Sequence, residues 1–433
     1  MERTVEVGNS IIYLISTPLE PPSPVITTAV SDLRLSTFIA SLYAATLDGL
    51  VATKPSITYL VPTNQAFETL GLIMSYLLLP SAREELKSTI KYHAIDQVVY
   101  LEDFPSNSTT PGQTSERYPT LSDGSEIYLE RLTTKNSSDL LVRGPTLEGL
   151  PANGELRPAK LISGNLLTET GVMHVIDQVE LPPDLEITVD KLLKGARSTT
   201  MVQLIREANM SWVLDGTPPP DSEESSQSQS KEPVNIARAY TILCPTDKAL
   251  SRLNLTYYLS HPSALSALVS LHIVPLPSSS SLSPSLLPGA PLPLSDSITY
   301  STLHSKSEGG SSAYGRIGFK KWGEERGSWM VGIQGARGTR GEKDSARVIS
   351  WGRATPWFVH EHKNVGRREG GGVVLIDSVL LPYEPGWFRS WGWIALVVVA
   401  ATVLVVGLSV WSVRRWKARS KGDGYEPVEG EED

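Results

Sequence analysis

Three short segments hold the histidines best placed to do chemistry. "YHAID" (Tyr92 to Asp96) and "LHIVP" (Leu271 to Pro275) each put an imidazole where a helical pattern runs into a short apolar stretch, and "HEH" (His360 to His362) flanks a glutamate with two more. An imidazole serves as a general base, a metal ligand or a hydrogen-bonded core group, according to its surroundings. In an extended segment His360 and His362 share one face while Glu361 points to the other, and no third ligand stands at motif spacing, so no metal is expected. His93 and His272, with Tyr92 beside the first, remain the candidate binding residues. The competing reading, a half-buried imidazole satisfied by a hydrogen bond, is favoured because buried polar groups are as a rule bonded.

Other chemistries lack their residues. There is no GxSxG elbow, phosphate-binding P-loop, HExxH pair or GxGxxG turn after a strand. Asp96, Asp177 and Asp377 lie at the ends of apolar runs, where a carboxylate usually caps or turns the chain. The expectation is a non-enzymatic protein without cofactors. With 39 Lys and Arg against 47 Asp and Glu, a net charge of -8, and no basic stripe before the far C-terminus, nucleic acid is not an expected partner. The single cysteine, Cys244, cannot form an intramolecular disulfide and is expected as a small buried hydrophobe.

The elements around the histidines repeat. "YLVPTNQAF" (Tyr59 to Phe67) and "ILCPTDKAL" (Ile242 to Leu250) each read as a buried strand that turns at a proline into a helix, with Thr63 or Asn64, and Thr246 or Asp247, as the helix cap. Ahead of them, "LSTFIASLYAATL" (Leu35 to Leu47) and "TTMVQLIREANMSWVL" (Thr199 to Leu214) have helical apolar spacing and should each open a domain. Behind them, "GVMHVIDQVELPP" (Gly171 to Pro183) and "GVVLIDSVLLPYEP" (Gly372 to Pro385) are apolar runs closed by prolines. A third such run, "SIIYLISTPLEPP" (Ser10 to Pro22), has no corner before it. Residues 1–24 therefore read as the remnant of a preceding, truncated copy.

In combination and order, the corner, the Tyr-His segment and the Gly-Val-Met-His-Val-Ile-Asp strand ending Leu-Pro-Pro resemble the fasciclin adhesion domain. The resemblance implies an α+β fold: tandem fasciclin-like domains, each a β-sandwich wedge with packed helices, at 25–185 and, more divergent, at 186–385. It also suggests an adhesive face around a Tyr-His segment. Many family members carry an Asp implicated in receptor contact where this chain has Asn165 followed by Leu166, so the resemblance does not extend to integrin-type recognition. Within the second domain, "TPPPDSEESSQSQSKEP" (Thr217 to Pro233), "PLPSSSSLSPSLLPGAPLP" (Pro275 to Pro293) and the Gly-rich stretch from Gly309 to about Arg347 are expected as long surface loops. Lys320, Lys321, Trp322 and Trp329 make the last a further surface on which a partner could settle, although a solvated loop is the favoured reading.

The end of the chain has a different character. No charge interrupts the sequence between Arg389 and Arg414, and "WIALVVVAATVLVVGLSVW" (Trp393 to Trp411) is long enough to span the roughly 30 Å apolar core of a bilayer. A transmembrane helix over 392–412 is expected, with tryptophans at both ends as interface anchors. Arg414, Arg415, Lys417, Arg419 and Lys421 follow it, so residues 413–433 should be cytoplasmic and the N-terminal part extracellular or vacuolar-lumenal. Asn-x-Ser/Thr sequons at Asn107, Asn136, Asn209 and Asn254 lie on that outer side as candidate N-glycosylation sites. In the tail, Tyr425 to Val428 has the form of a tyrosine-based sorting signal. Ser/Pro-rich insertions without disulfides fit a fungal source. The expected role is a single-pass glycoprotein binding protein or cell-wall polysaccharide, with self-association as a further possibility; the alternative is a vacuolar or endomembrane scaffold.

Overall fold

The computed structural model describes residues 3–105, 115–133, 138–144, 158–215, 239–276, 289–307, 315–323, 328–334, 344–354, 357–361, 364–368, 371–382 and 393–420. These fall into two units, Met1–Pro382 and Tyr383–Asp433. The first unit begins with a hairpin of β1 (Arg3–Val7) and β2 (Ser10–Leu14). Helices α1 (Val25–Val30), α2 (Ser36–Ala44) and α3 (Asp48–Thr53) lead to the corner strand β3 (Ile57–Pro62). Beyond the corner come α4 (Asn64–Glu68), α5 (Leu72–Leu77) and α6 (Arg83–Tyr92). Strands β4 (Ala94–Ile95), β5 (Ser115–Pro119), β6 (Glu126–Thr133), β7 (Ser138–Arg143), β8 (Ala159–Thr168) and β9 (Gly171–Ile176) complete the first half.

The second half repeats this order. It opens with α7 (Val189–Gly195), α8 (Thr199–Glu207) and α9 (Trp212–Asp215), then the corner strand β10 (Tyr240–Pro245). Helices α10 (Asp247–Leu250), α11 (Leu255–Ser260) and α12 (Pro262–Leu271) follow, with β11 (Ile273–Pro275), β12 (Thr299–Ser301) and α13 (Leu303–Ser307). Strands β13 (Arg316–Lys321), β14 (Trp329–Ile333) and β15 (Ser345–Arg353) precede a separate hairpin, β16 (Trp357–Glu361) with β17 (Asn364–Arg368). The closing strand is β18 (Gly372–Ile376).

Each half is an α+β wedge built on a seven-stranded sheet, in the order β4-β3-β9-β8-β7-β6-β5 and β11-β10-β18-β15-β14-β13-β12. In both, the corner strand lies parallel to the closing strand, Ile57 opposite Gly171 and Thr241 opposite Gly372, while the other pairings are antiparallel. All six residues of β3 and of β10 are buried, as expected of a strand covered on both faces. Register shifts in β8 between Leu161, Ser163 and Leu166 bend the sheet. The bent sheet encloses a cluster of Leu60, Tyr92, Ile95, Tyr118, Ile127 and Leu129. A larger apolar cluster is common to both halves, running from Phe38 and Leu42 through Leu77 and Leu192 to Ile242 and Val373.

The corner divides its polar work between two residues. Thr63 Oγ1 accepts the Ala66 N–H at 3.3 Å and so caps α4, the helix that follows. Asn64 reaches back instead: its Oδ1 accepts the Thr37 N–H at 2.8 Å at the start of α2, and its Nδ2 donates to the Leu33 carbonyl at 3.0 Å. The second corner does the same, with Thr246 capping α10 at 3.2 Å and Asp247 accepting from the Thr200 N–H at 3.1 Å and the Thr199 hydroxyl at 2.9 Å. Of the two alternatives open at each corner, threonine is thus the cap of the next helix, and its neighbour caps a helix far back in sequence.

The structure corrects two expectations. A helix, α1 or α7, precedes the one expected to open each half; α1 is a β-branched run, whose weak helix preference is overridden by burying Val25 and Ala29. The expected helices are also broken, at Thr46 (φ 56°) and Asn209 (φ 55°), where the backbone turns left-handed. Second, the Gly-rich stretch after Gly309 is not simply a surface loop. It contains β13 and β14, which bury Ile317, Phe319, Val331 and Ile333. That two-residue alternation was readable but is masked by surrounding glycine and charge. Trp322 stays half exposed, with the Arg347 guanidinium over its ring at 4.2 Å. Residues 217–233 lie outside the described residues.

In the second unit, α14 (Trp393–Ser420) runs past the expected end at 412 and through the basic residues Arg414, Arg415, Lys417 and Arg419. Among the described residues it is the one helix long and apolar enough to cross a membrane, over Ile394–Lys417.

The parallel pairing leaves no room for a side chain where it begins. A Cβ added to Gly171 would stand 1.9 Å from the Ile57 carbonyl oxygen, and one on Gly371 the same distance from that of Tyr240. Gly171→Val should therefore separate β9 from β3 and abolish cooperative unfolding of the first half in urea. Thr63→Ala should cost about 1 kcal/mol by the same measurement. Asn64→Ala should cost more, because it removes two hydrogen bonds at once, from the Thr37 N–H and to the Leu33 carbonyl.

Candidate functional site

His93 and His272 occupy the same place in the two halves. Each is the residue after a helix, α6 or α12, and is buried, at 2% and 1% exposure. The ring of His93 has Nδ1 2.8 Å from the Thr89 carbonyl and Nε2 3.1 Å from the Glu180 backbone N–H. For His272 the partners are the Leu268 carbonyl at 2.8 Å and the Leu380 backbone N–H at 3.2 Å. An amide N–H can only donate, so Nε2 must be the acceptor and the single ring proton must sit on Nδ1. Burial in a low-dielectric core pushes both imidazoles down to about 4, against the opposing effect of the carbonyl bond. Both nitrogens are spent. The ring acts as a clamp between the end of a helix and the segment that leaves the closing strand.

Tyr92 is buried beside its clamp and donates its hydroxyl to the Glu126 carbonyl at 3.0 Å. Desolvation, then the nearby Glu180 carboxylate, raises its phenol well above the ordinary tyrosine range. Glu180 accepts backbone N–H bonds from Gly144 at 3.2 Å and Ala159 at 3.1 Å, and burial still pushes its carboxyl up to about 7. Neighbouring Arg143 pairs with the fully buried Glu130. The three candidate binding residues, Tyr92, His93 and His272, are thus drawn inward rather than displayed.

Sequence reasoning passed over a further buried histidine. His174, in β9, accepts the Asn165 N–H on Nδ1 at 3.2 Å and bonds the Val99 carbonyl through Nε2 at 2.9 Å, the opposite tautomer to the clamps. Asn165 is left-handed (φ 55°), accepts the Leu101 N–H at 2.9 Å and donates to the Glu102 carboxylate at 3.1 Å. Here the amide does what a carboxylate could not, because an Asp would face Glu102 with like charge. The signal for His174 was present in the Met-His-Val run, but only the tertiary fold shows Val99 and Asn165 meeting its ring.

The aspartates act on the backbone. Asp177 Oδ1 accepts the Lys160 N–H at 2.6 Å and Asp377 Oδ1 the Arg347 N–H at 2.8 Å, while their own amides donate back to the same residues' carbonyls. Asp96 instead pairs with the Lys54 ammonium at 2.7 Å. Cys244 is buried and its thiol is pushed up to about 12 by desolvation. Among the described residues no three His, Cys, Asp or Glu side chains gather closely enough to hold a metal ion. His362 lies outside the described residues, as do the sequons' Asn107 and Asn136 and the tail residues Tyr425 and Val428. Asn209 and Asn254 are exposed, and Asn254 also accepts the Tyr257 N–H at 3.3 Å as the cap of α11.

The clamps set a pH dependence of one sign whose size differs between the halves. A buried imidazole binds its proton more weakly than in the unfolded chain, so its contribution is complete above about pH 6.5 and is lost as pH falls toward 4. Glu180 runs the other way, holding its proton more tightly in the fold, so its contribution is greatest below about 4.5 and declines as pH rises through 7. His93 and Glu180 offset each other in the first half, which leaves His174, whose imidazole burial also holds low, as its acid-sensitive group. In the second, Leu380 stands in the place of Glu180, and His272 acts alone with about 3 kcal/mol at stake. Urea unfolding from pH 7.5 to 4 should show an acid loss in both halves, partly offset by Glu180 in the first and carried by His272 in the second. His272→Ala should remove about 2 to 4 kcal/mol at pH 7.5 and flatten that acid slope.

Comparisons with known proteins meet this geometry. A fasciclin domain model matches residues 33–182. Human periostin is 28% identical over 163 residues, which are 38% of this chain and 16% of periostin. Protein sll1483 of Synechocystis sp. is 27% identical over 161 residues, 37% of this chain and 73% of that protein. Among solved structures, a FAS1 domain pair from the insect cell adhesion molecule fasciclin I aligns with 80% of this chain and 97% of its own, at 16% identity and a TM-score of 0.28. The chain therefore spans a small part of periostin and most of the Synechocystis protein. The matched segment takes in α2, the first corner, the Tyr92-His93 clamp and the closing strand β9, and residues 33–182 are accordingly a fasciclin domain.

Proposed function

We propose that the protein is a non-catalytic adhesion or interaction protein whose fasciclin-like halves face outward or into a lumen from a membrane held by α14. The observation that carries this reading is the fasciclin domain over residues 33–182, the type found in the insect cell adhesion molecule fasciclin I. It is supported by the way the conspicuous polar side chains are used: His93, His272, Asp177 and Asp377 each bond the backbone of their own fold. A partner then meets the outer faces of the wedges. Protein or cell-wall polysaccharide is the partner class, and self-association is a second mode.

The basic end of α14 supports a cytoplasmic tail. A second reading, delivery to a vacuolar or endomembrane compartment as a scaffold, rests on Tyr425 and Val428. Imaging the tagged chain beside Tyr425→Ala distinguishes the two: the vacuolar reading expects the variant to shift to the cell surface.

Expressed on non-adherent cells, the whole chain should promote attachment to protein or polysaccharide surfaces, and removal of residues 25–385 should abolish it. Equal attachment with and without that segment would sink the adhesion reading. An outward orientation also expects glycan on the exposed Asn209 and Asn254. Thr256→Ala and Ser211→Ala should each remove one glycosidase-sensitive mass increment, and Thr256→Ala does so while leaving the Asn254 helix cap in place.

A further inference from the structure

The sheets of the two halves match strand for strand, β5 to β8 in the first with β12 to β15 in the second, yet they differ in charge. Strands β5 to β8 hold Glu116, Glu126, Glu130 and Asp139, and their bases are used within the fold. Arg117 lies 3.8 Å from Glu126, Lys160 pairs with Asp139 at 2.7 Å, Arg143 pairs with Glu130, and Arg131 donates to the Leu101 carbonyl at 2.6 Å. Strands β12 to β15 contain no Asp or Glu. Asp296 and Asp377 sit beside them but take backbone N–H groups, of Lys321 at 2.7 Å and of Arg347 at 2.8 Å. In sequence, residues 316–347 carry eight Lys and Arg against four Asp and Glu, a net +4 in a chain whose total is -8.

Alternation along the strands sorts these residues by face. Ile317, Phe319, Val331 and Ile333 are buried on the inner face. On the outer face two rows cross the strands: Thr299, Gly318, Gly332 and Ser345 in one, Lys320, Met330 and Arg347 in the next. The first row is a shelf without bulk, where a Cβ on Gly318 would meet only the Thr299 methyl, at 3.8 Å. Arg316 stands on one side of the rows and Trp322 on the other, half exposed under the Arg347 guanidinium at 4.2 Å. Lys321 and Trp329, paired across β13 and β14, belong to the opposite alternation, so Arg316 and Arg347 take their place beside Lys320 and Trp322. Arg316 and Lys320 are exposed and have no carboxylate partner among the described residues. They lie about 13 Å apart along β13, and Lys320 and Arg347 about 10 Å apart across two strand spacings.

We propose, on the reading of the protein as an outward-facing interaction protein, that the outer face of β12 to β15 binds an acidic polysaccharide, with anionic groups repeated along its chain. Cations spread over about 10 to 13 Å match such a polymer better than a single anion. The row of glycines and hydroxyls receives a flat, hydroxyl-rich chain, and Trp322 offers it an apolar platform at one end. An acidic peptide is the poorer match, because peptide affinity comes from apolar anchors set in pockets, and the described residues of this face form no such pocket.

The test passes the full-length protein, in detergent micelles, over immobilised heparin, dextran and poly-glutamate, read by surface plasmon resonance. Heparin should bind at least about 10-fold more tightly than poly-glutamate, dextran should not bind, and raising NaCl from about 50 to about 500 mM should weaken the heparin complex steeply. Arg316→Ala combined with Lys320→Ala should weaken it at least about 10-fold, and Trp322→Ala about 3-fold. Arg117→Ala combined with Lys160→Ala, at the paired bases of the first half, should leave it within about 2-fold. Unchanged urea midpoints in these variants separate lost contact from lost fold. Equal heparin binding by the Arg316 and Lys320 variant, poly-glutamate bound as tightly as heparin, or no heparin binding by the unaltered chain would each overturn the assignment. Attachment to protein surfaces does not require this face, so the adhesion reading stands or fails separately.

Discussion

The fold depends on one pairing made twice, between a corner strand and a closing strand that lie far apart in sequence and parallel in space. A parallel pair cannot be joined by a tight turn, so all the intervening helices and strands must be accommodated by the crossover. The corner strand is then covered on both faces, which is why β3 and β10 are buried throughout. Glycine at the head of the closing strand follows from the same pairing, since the opposing carbonyl occupies the space a Cβ would need.

Around that pairing, polar side chains hold the helices in register. At the corner, Thr63 and Asn64 bind the helix after the strand and the helix well before it, and Thr246 and Asp247 repeat the arrangement. Beside the same strand, the histidine clamp ties a helix terminus to the chain leaving the sheet. Hydrogen bonds of this kind contribute modestly when made but cost more when one buried partner is left alone. They therefore specify geometry more than they add stability. The apolar cluster shared by the two halves supplies the bulk of the burial.

The two halves differ most where the scaffold does not constrain them. The carboxyl of Glu180 beside His93 becomes Leu380 beside His272, so one clamp sits in a polar setting and the other in an apolar one. The short turn between β8 and β9 becomes, between β15 and β18, a segment bearing the β16-β17 hairpin. Such changes fall in connections and at sheet ends, where they do not disturb the central pairing.

The features legible in the sequence were local or repeated. Corner strands, helix caps, proline-closed strands and the long apolar helix each declare themselves within a window of a few turns, by periodicity, by Pro and Thr at fixed offsets, or by an unbroken run without charge. Repetition then supplied the order of the halves. Those windows did not reveal what each polar group bonds, because the partners come from elsewhere in the chain: Glu180 for His93, Val99 for His174, Thr37 for Asn64. They also misread β13 and β14, whose alternating apolar residues gain meaning only once β12 and β15 flank them. By itself the sequence determined the kind of domain, its copies and the membrane-length helix. Only the tertiary structure decided that the Tyr92-His93 and Leu271-His272 segments turn inward as clamps, since burial of an imidazole is a property of everything packed around it.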